Sequence, residues 1–447
     1  MLEPLEPKRP LATFTVTSGS DSSLVEGSLP WAVHQANYAS AGPDVIQFNL
    51  PAAARTIRLR DTLYLNEQVV IDGFTQPGGT AGVPPVTVLG TPTVATLFLL
   101  QADASRGTTG SGSTIRGLAM AQYAANAVTI LKGASGNTIE QNWIGFSVEA
   151  GGAVRPTATA GTYQAAIGIQ SNDNVVRDNT IAGVYNGIVM GEDILRPWSG
   201  TVYSGNTIRD NRIGTNPAGT SATGYGNRSD GIFFGAGCQR NFIGPGNVLS
   251  GNASAGVEFL HSSVTGNVVF ANKIGTNASG TAAIGNGELG VLVANGAAGN
   301  TIGGASGGNL IAGNRLGGVA LGTAAFRGAA GNMVQGNVIG MNAAKTGPLG
   351  TQQVGISVAA SAARNVLESN EIGGHQQHGI VVSQAASTTV SRNFLGRSAA
   401  GRLVANGGYG VAVLPGSTST TGTGNVFGTN KLGKIFVSPL AKTTRVT

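Results

Sequence analysis

From residue 137 onward one phrase recurs: an Asn, an apolar pair, a short polar link, then Asn-x-Ile/Leu-Gly. It begins at Asn137, Asn174, Asn206, Asn241, Asn267, Asn300, Asn332, Asn365 and Asn425, with Thr388 or Thr389 standing in once. Each copy is followed by Gly and three residues that are mostly Val, Ile, Leu or Phe, as in Gly187-Ile-Val-Met190, Gly231-Ile-Phe-Phe234 and Gly379-Ile-Val-Val382. A unit written this way holds three short strands, and alternation along each strand points one side chain in and the next out. Such a unit cannot enclose a core alone and has to stack on its copies. Three strands per turn, stacked in register, make an all-β protein: a right-handed parallel β-helix, a solenoid. In it Asn137, Asn174, Asn206 and their successors form ladders, hydrogen-bonded to each other and to the bends.

The turns alternate in length. Long links occupy 147–165, 215–229, 276–288, 341–353 and 397–408, so the true repeat is a two-turn unit of about 60 to 65 residues with one extended loop. These loops are expected to project from one edge, where function most often sits. Residues 28–39 read as a short helix capping the N-terminal end, with Ser28 as N-cap and Leu29, Val33 and Ala36 on one face. The organisation expected is a tail over 1–12, a cap with the first coils over 13–136, regular repeats over 137–437 and a tail over 438–447. About 13 turns are expected.

Composition agrees. Gly and Pro make up 88 of 447 residues (71 plus 17), and only 11% of residues are charged, which disfavours long helices held by surface ion pairs. The charge of +6 is spread thinly, with no Lys/Arg run to grip nucleic acid. The single cysteine, Cys238, reads as a structural small residue. Apolar runs such as Val94–Leu100 are too short to span a membrane, and the first ten residues lack the apolar core of a signal peptide. A mature fragment, or a protein not exported that way, is the expectation.

The phrases at 274–287 and 299–314 resemble those of bacterial right-handed parallel β-helix repeat proteins. The N-terminal part is similar to the CSLREA-type region that precedes such repeats. The six-residue signature is represented by Gly27-Ser-Leu-Pro-Trp-Ala32, and Ala36-Asn37, Asp44–Phe48 and Ile71–Gly78 match the downstream pattern. Gly27, Pro30 and Trp31 replace the signature's Cys, Arg and Glu. The resemblance implies a secreted or surface protein in a fold family rich in polysaccharide lyases, glycosidases and epimerases. Fold alone does not fix activity.

No familiar catalytic or calcium-binding signature is present, so candidate chemistry is sought in columns of the stack. Glu140, Arg177, Asp178, Arg209, Asp210 and Arg212 form the densest charged patch. Asp178 and Asp210, one turn apart, are expected at about 5 Å, a separation at which two carboxylates can act as acid and nucleophile. Trp143, Tyr163, Trp198 and Tyr203 come from the same turns, with Arg212, as sugar-binding candidates. A lyase would instead use Arg177 and Arg209 to neutralise a uronate, with Tyr203 as base. The competing reading is an Arg/Asp ladder on a solvated face. Glu258 with His261 is a secondary pair, whereas His375 and His378 read as decoration of a turn. No metal site or cofactor is expected. The outward column Val189, Phe233, Glu258, Leu292, Ala320, Ser357, Val381 and Ala412 is apolar for a solvated face, and has to be covered by loops or by another subunit, a homo-oligomer. The expected function is an extracellular or cell-surface protein acting on or binding polysaccharide, as a lyase or glycoside hydrolase. The alternative is a non-catalytic adhesin or assembly protein.

Overall fold

The computed structural model describes residues 12–38, 43–148, 154–156, 165–304 and 307–447. The chain divides into two compact units, one ending at Val184 and the other beginning at Tyr185, and each is a right-handed parallel β-helix. In the first unit, sheet A stacks Thr13–Val16, Asp44–Phe48, Val69–Asp72, Thr114–Arg116, Thr138–Glu140 and Val175–Arg177, all parallel. Sheet B stacks Thr56–Arg58, Val86–Leu89, Leu118–Ala121, Trp143–Ile144 and Thr180–Ile181. Sheet C stacks Leu63–Leu65, Thr96–Leu100, Asn126–Ile130 and Ala165–Ile169. Alternation buries Ile71, Ile115, Ile139 and Val176 completely, one above the other.

The expected capping helix is present as Leu29–Tyr38. Ser28 Oγ accepts from Trp31 N at 3.0 Å, satisfying one of the free donors of the first turn. Leu29, Ala32, Val33 and Ala36 are buried against the first coil, and the Trp31 ring meets Phe14 edge-on at 6.0 Å. Without this cover the first coil would expose core and strand edges to water.

The second unit repeats the plan. Its sheet A runs from Thr207–Arg209 to Arg445–Val446, sheet B from Arg212–Ile213 to Val426–Phe427 and sheet C from Asn186–Met190 to Gly433–Val437. The stretch 438–447, expected as a tail, therefore supplies a strand, which pairs with Thr421–Gly422. Inward columns are aliphatic: Ile208, Ile243, Val269, Ile302, Val334, Leu367 and Val390 are all fully buried, and each such side chain stabilises the stack by about 1.5–3 kcal/mol. Cys238 is likewise fully buried, and burial pushes its thiol well above the usual range.

Three ladders, one more than the repeat phrase displays, pin the corners. The first two pass through Asn206, Asn241, Asn267, Asn300, Asn332 and Asn365, and through Asn211, Asn247, Asn272, Asn309, Asn337, Asn370 and Asn393. The third passes through Asn227, Asn252, Asn286, Asn314, Gln352, His375, Asn406 and Asn430. It is obscured in sequence because its rungs change residue type and follow loops of variable length. His375 is thus a buried rung rather than a turn decoration. It lies between Gln352 Nε2 at 3.2 Å and Asn406 Oδ1 at 2.8 Å. His378 does sit at the turn, stacked on Tyr409 at 5.8 Å.

The long loops of this unit do not project freely. Three of the four are closed by one side chain each: Asn216, Asn277 and Asn342 Oδ1 accept from Thr220, Thr281 and Thr346 N at 2.8, 2.9 and 2.9 Å. Alternate loops then bond to one another, Ala278 N to Gly219 O at 2.8 Å and Ala343 N to Gly280 O at 2.9 Å. A Cβ on Gly280 would lie 2.5 Å from Leu310 Cδ2, so the loops lie directly on the outward residues of sheet B. They form a roof.

Candidate functional site

Of the predicted charged patch, Glu140, Arg177 and Asp178 lie in the first unit and Arg209, Asp210 and Arg212 in the second, and Glu140, Arg177, Arg209 and Asp210 are engaged in ion pairs. In the first unit Asp72, Arg116, Glu140 and Arg177 occupy one outward column of sheet A in direct register. Arg116 binds Asp72 at 2.6 Å and Glu140 at 3.7 Å, and Arg177 closes on the other oxygen of Glu140. Alternating signs on adjacent turns make a zipper of ion pairs. Asp178 follows at the corner with φ 57°, belonging to the first unit, while Asp210 belongs to the second and has φ 57° as well. Gln141, Ala271, Ser369 and Arg392 hold the same left-handed corner on other turns, and Asp is among the residues that tolerate it. Corner geometry thus accounts for an Asp at both positions without chemistry. Asp210 is bound by Arg209 at 2.7 Å, and a Cβ on Gly246, one turn on, would come within 2.1 Å of its Oδ1.

The aromatic and basic candidates separate. Trp143 lies on sheet B of the first unit, in register with Ala119 and Thr180 and 6.1 Å from Phe146, round the corner from Glu140. Tyr163 lies outside the described residues. Arg212 sits under the sheet B roof of the second unit, its Nε buried without a partner.

Trp198, Tyr203 and His261 do converge, in the second unit, on the turn leading from sheet C to sheet A. Tyr203 Oη donates to Glu192 Oε1 at 2.9 Å, Ser199 N donates to Glu192 Oε2 at 2.9 Å, and Trp198 Nε1 donates to Thr201 O at 2.8 Å. The indole meets the His261 ring at 6.5 Å, and His261 Nδ1 pairs with Ser263 Oγ at 2.7 Å. Burial and the Glu192 carboxylate push the Tyr203 phenol up to about 12, so at neutral pH it is a hydrogen-bond donor and not a base. Glu192, which orders this wall, was not singled out in sequence because it lies in an aperiodic turn.

The strand carrying Glu258 ends at Phe259, so His261 lies beyond it in the following turn, while Glu258 sits in apolar surroundings: Phe233 precedes it and Leu292 follows it in register. Desolvation first, then the charge and hydrogen bond of Asp230 and the charge of Glu288, push Glu258 up to about 9. It holds its proton at neutral pH and is hydrogen-bonded to Asp230, whose Oδ1 also accepts from Ala255 N at 2.9 Å. Such a proton suits general-acid work, but at 6% exposure no polymer reaches it. Folded Glu258 binds its proton more tightly than the unfolded chain does, so its contribution to stability is present at low pH and is lost as pH rises toward 9. Glu258→Gln is accordingly expected to change stability by less than about 1 kcal/mol at pH 4, where the carboxyl is protonated in folded and unfolded chain alike, and to gain progressively on the parent as pH rises above the ordinary carboxylate range. Chemical denaturation at two pH values reads this; parallel curves would sink it.

The apolar column on sheet C is covered by the chain itself. Leu292 and Ala320, with Ala255, Leu260 and Leu289, form a buried cluster against which Phe233, Ile194, Leu316 and Phe326 pack. Over this stretch loops of the same unit meet the need that had pointed to a second subunit. Sheet A of the second unit is different. Its outward residues Phe242, Val268, Thr301, Met333 and Val366 stay partly exposed, Phe242 at 44%. Gln335, Glu368 and Arg392 flank them, with Gln335 Nε2 donating to Glu368 Oε2 at 3.0 Å and Arg392 paired to the other oxygen. Among the described residues no group of three or more His, Cys, Asp or Glu side chains converges to hold a metal.

These features define a ladder-pinned parallel β-helix with two faces roofed, sheet C only in part, and one face open in its second unit. No protein-family model and no curated protein matches the chain. Solved structures do. The A-module of mannuronan C-5 epimerase AlgE4 from Azotobacter vinelandii aligns at 13% identity over 96% of this chain and 99% of that one, with a TM-score of 0.50. Tailspike protein 3 of bacteriophage CBA120 aligns at 13% identity over 97% and 61%, with a TM-score of 0.47. The surface adhesin PfbA of Streptococcus pneumoniae aligns at 10% identity over 95% and 93%, with a TM-score of 0.44. At these identities the likeness establishes the fold. No helix among the described residues is long and apolar enough to cross a membrane.

Proposed function

We propose that the protein works outside the cytoplasm as a polysaccharide-binding β-helix, with the polymer lying along the open sheet A face of the second unit. The observation that carries this reading is that face itself: Phe242, Val268, Thr301, Met333 and Val366, each partly exposed, form a row of one residue per turn stacked in register. A row repeating about every 4.8 Å suits an extended repeating chain better than a compact ligand. Aromatic rings present broad apolar area at little entropic cost, which is what the faces of sugar rings require. Binding is favoured over cleavage because Glu140 and Asp210 spend their carboxylates on guanidinium groups.

The test is retention of a panel of acidic and neutral polysaccharides in affinity electrophoresis. Mannuronan stands first, since the A-module that aligns over nearly the whole chain is named for it. Phe242→Ala is expected to weaken retention about tenfold, the effect of truncating one well-placed aromatic anchor. Retention of no polymer overturns the proposal. New reducing ends in the same samples, lost in Asp178→Ala and Asp210→Ala, would convert the reading to a hydrolase; unsaturated-sugar absorbance with them would convert it to a lyase.

A further inference from the structure

The open face of sheet A in the second unit has two borders, and they differ in charge. On the border where the chain leaves toward sheet B the charges cancel: Arg209 binds Asp210 at 2.7 Å, and Arg392 is paired with Glu368. On the other border the chain arrives from sheet C through the turns 235–241, 260–267, 294–300, 322–332 and 359–365, and no Asp or Glu stands in any of them. Those turns hold three arginines, Arg240, Arg327 and Arg364. All three are exposed, and none enters an ion pair among the described residues. The carboxylates of the turn before these, Glu192 and Asp193, are engaged by Tyr203 and Ser199 and by Arg196 at 3.5 Å.

Register places the arginines. Gln239, Thr265, Ala298, Ala330 and Ala363 pair in parallel, one residue per turn. Arg240 and Arg364 directly follow the first and the last of these, so they hold one place in the coil four turns apart, about 19 Å at the strand spacing. Gly266, Gly299 and Gly331 hold that place on the turns between and put no side chain in the way. The place is left-handed, with φ 52° at Arg240, 54° at Arg364 and 67°, 64° and 63° at the glycines, a conformation glycine takes freely and arginine only at a cost. Arg240 Cγ lies 3.4 Å from where a Cβ on Gly266 would stand, so its side chain runs along the border toward the turn of Val268. Arg327 stands on the turn of Met333, where its carbonyl accepts from Asn295 N at 2.8 Å.

Three uncompensated cations beside an exposed apolar row select a polymer that is apolar on its ring faces and anionic at its edge. The planar guanidinium fork matches a carboxylate with two parallel hydrogen bonds, which a point charge does not. Single-stranded nucleic acid fits less well, because it is gripped by stacking successive bases on successive aromatic rings, and this row holds one ring, Phe242.

We infer that the polymer on this face is a polyuronate, its sugar rings on the row from Phe242 to Val366 and its carboxylates turned to Arg240, Arg327 and Arg364. The inference rests on the polymer-binding reading above and names the ligand class.

The test is affinity electrophoresis of the full chain in mannuronan and in polygalacturonate, each beside its carboxyl-reduced form, which keeps the backbone and loses the charge. Both polyuronates are expected to bind at least about tenfold more tightly than the reduced forms, and added salt to weaken them. Arg240→Gln and Arg364→Gln are each expected to weaken polyuronate binding about fivefold and to leave the residual binding of the reduced forms unchanged. Each residue is bonded into the stack through its backbone N, to Thr265 O and to Ala386 O, both at 3.0 Å, and an unchanged melting temperature verifies that the coils are intact. Arg402→Gln, which removes the same charge from the loop 397–408, is the control and should leave retention as it is. Equal retention of the reduced forms, still lost in Phe242→Ala, would keep the polymer face and overturn the polyuronate assignment. Equal losses at Arg240, Arg364 and Arg402, or single-stranded DNA held as tightly as polyuronate, would overturn it too, and retention of no polymer would overturn both readings.

Discussion

Asn309→Ala is expected to lower the unfolding free energy by about 4 kcal/mol, read as a fall in the denaturant midpoint at unchanged slope. The reason is the number of bonds that pass through one buried amide. Asn309 Nδ2 donates to Val269 O at 2.8 Å and to Asn337 Oδ1 at 2.9 Å, while its Oδ1 accepts from Asn272 N and Asn272 Nδ2, both at 3.0 Å. Truncation strands donors and acceptors on the two turns either side, where water has no access, and each stranded group costs about 1–3 kcal/mol, partly relieved by relaxation and by the partners' other bonds. In a solenoid that loss falls on nearest-neighbour coupling, so the turns on either side loosen together. Asn277→Ala is the control. Its Oδ1 also accepts backbone hydrogens, from Thr281 and Ala282, but in an exposed loop where water replaces them, and it should cost no more than about 1 kcal/mol. Equal losses at the two positions would show that the ladders do not carry the stability assigned to them.

Acidification is expected to weaken the fold through His375, with about 3 kcal/mol lost between pH 6.5 and pH 4. Burial first, offset in part by its bond to Asn406, lowers the His375 imidazole from 6.5 to about 4. The ladder explains why it stays neutral: Nδ1 donates to Asn406 Oδ1, so Nε2 is left to accept from the Gln352 amide, and a second proton would face a donor. The sign follows from linkage. Below pH 6.5 the unfolded chain takes up a proton that the folded chain refuses until about pH 4, so the unfolded state binds more protons and stability rises with pH across that window. His375→Asn restores the residue type found at most other rungs and should remove this part of the slope. A variant whose stability falls with acid as steeply as the parent's would locate the acid sensitivity elsewhere.

The fold was legible in the sequence because its determinants are local and repeated. The Asn phrase, the Gly-apolar triplet and the Ser28 cap each act within a few residues, and stacking identical units leaves one economical way to bury them. Asn142, Asn179 and Asn211 fall where the repeat places them, and Ser28 caps the helix as its spacing requires. The third ladder was not legible, because Gln352 and His375 keep the hydrogen-bonding role while abandoning the residue type.

The candidate site divided along the same line. Charge at Glu140, Arg177 and Arg209 was visible, but what those charges do depends on the turn above and the turn below. Register in sheet A of the first unit sets Arg116 and Arg177 on either side of Glu140, and the left-handed corner gives Asp178 and Asp210 a conformational reason to be there. Glu258 and His261 are three residues apart in sequence, yet the strand ends between them at Phe259, and one lies under an apolar cluster beside Asp230 while the other meets the Trp198 wall.

By itself, then, the sequence determined the period, the three-strand turn, the inward aliphatic columns and the helical cap, all of which follow from side-chain alternation and local capping. Tertiary structure decided which outward faces remain open. Whether a loop roofs sheet B, covers the middle of sheet C or leaves sheet A bare depends on contacts such as Ala278 with Gly219 and Ile194 with the Leu292 cluster, made between residues dozens of positions apart. Side-chain period carries no record of such contacts, because it specifies in and out for each strand but not what lies above the outside.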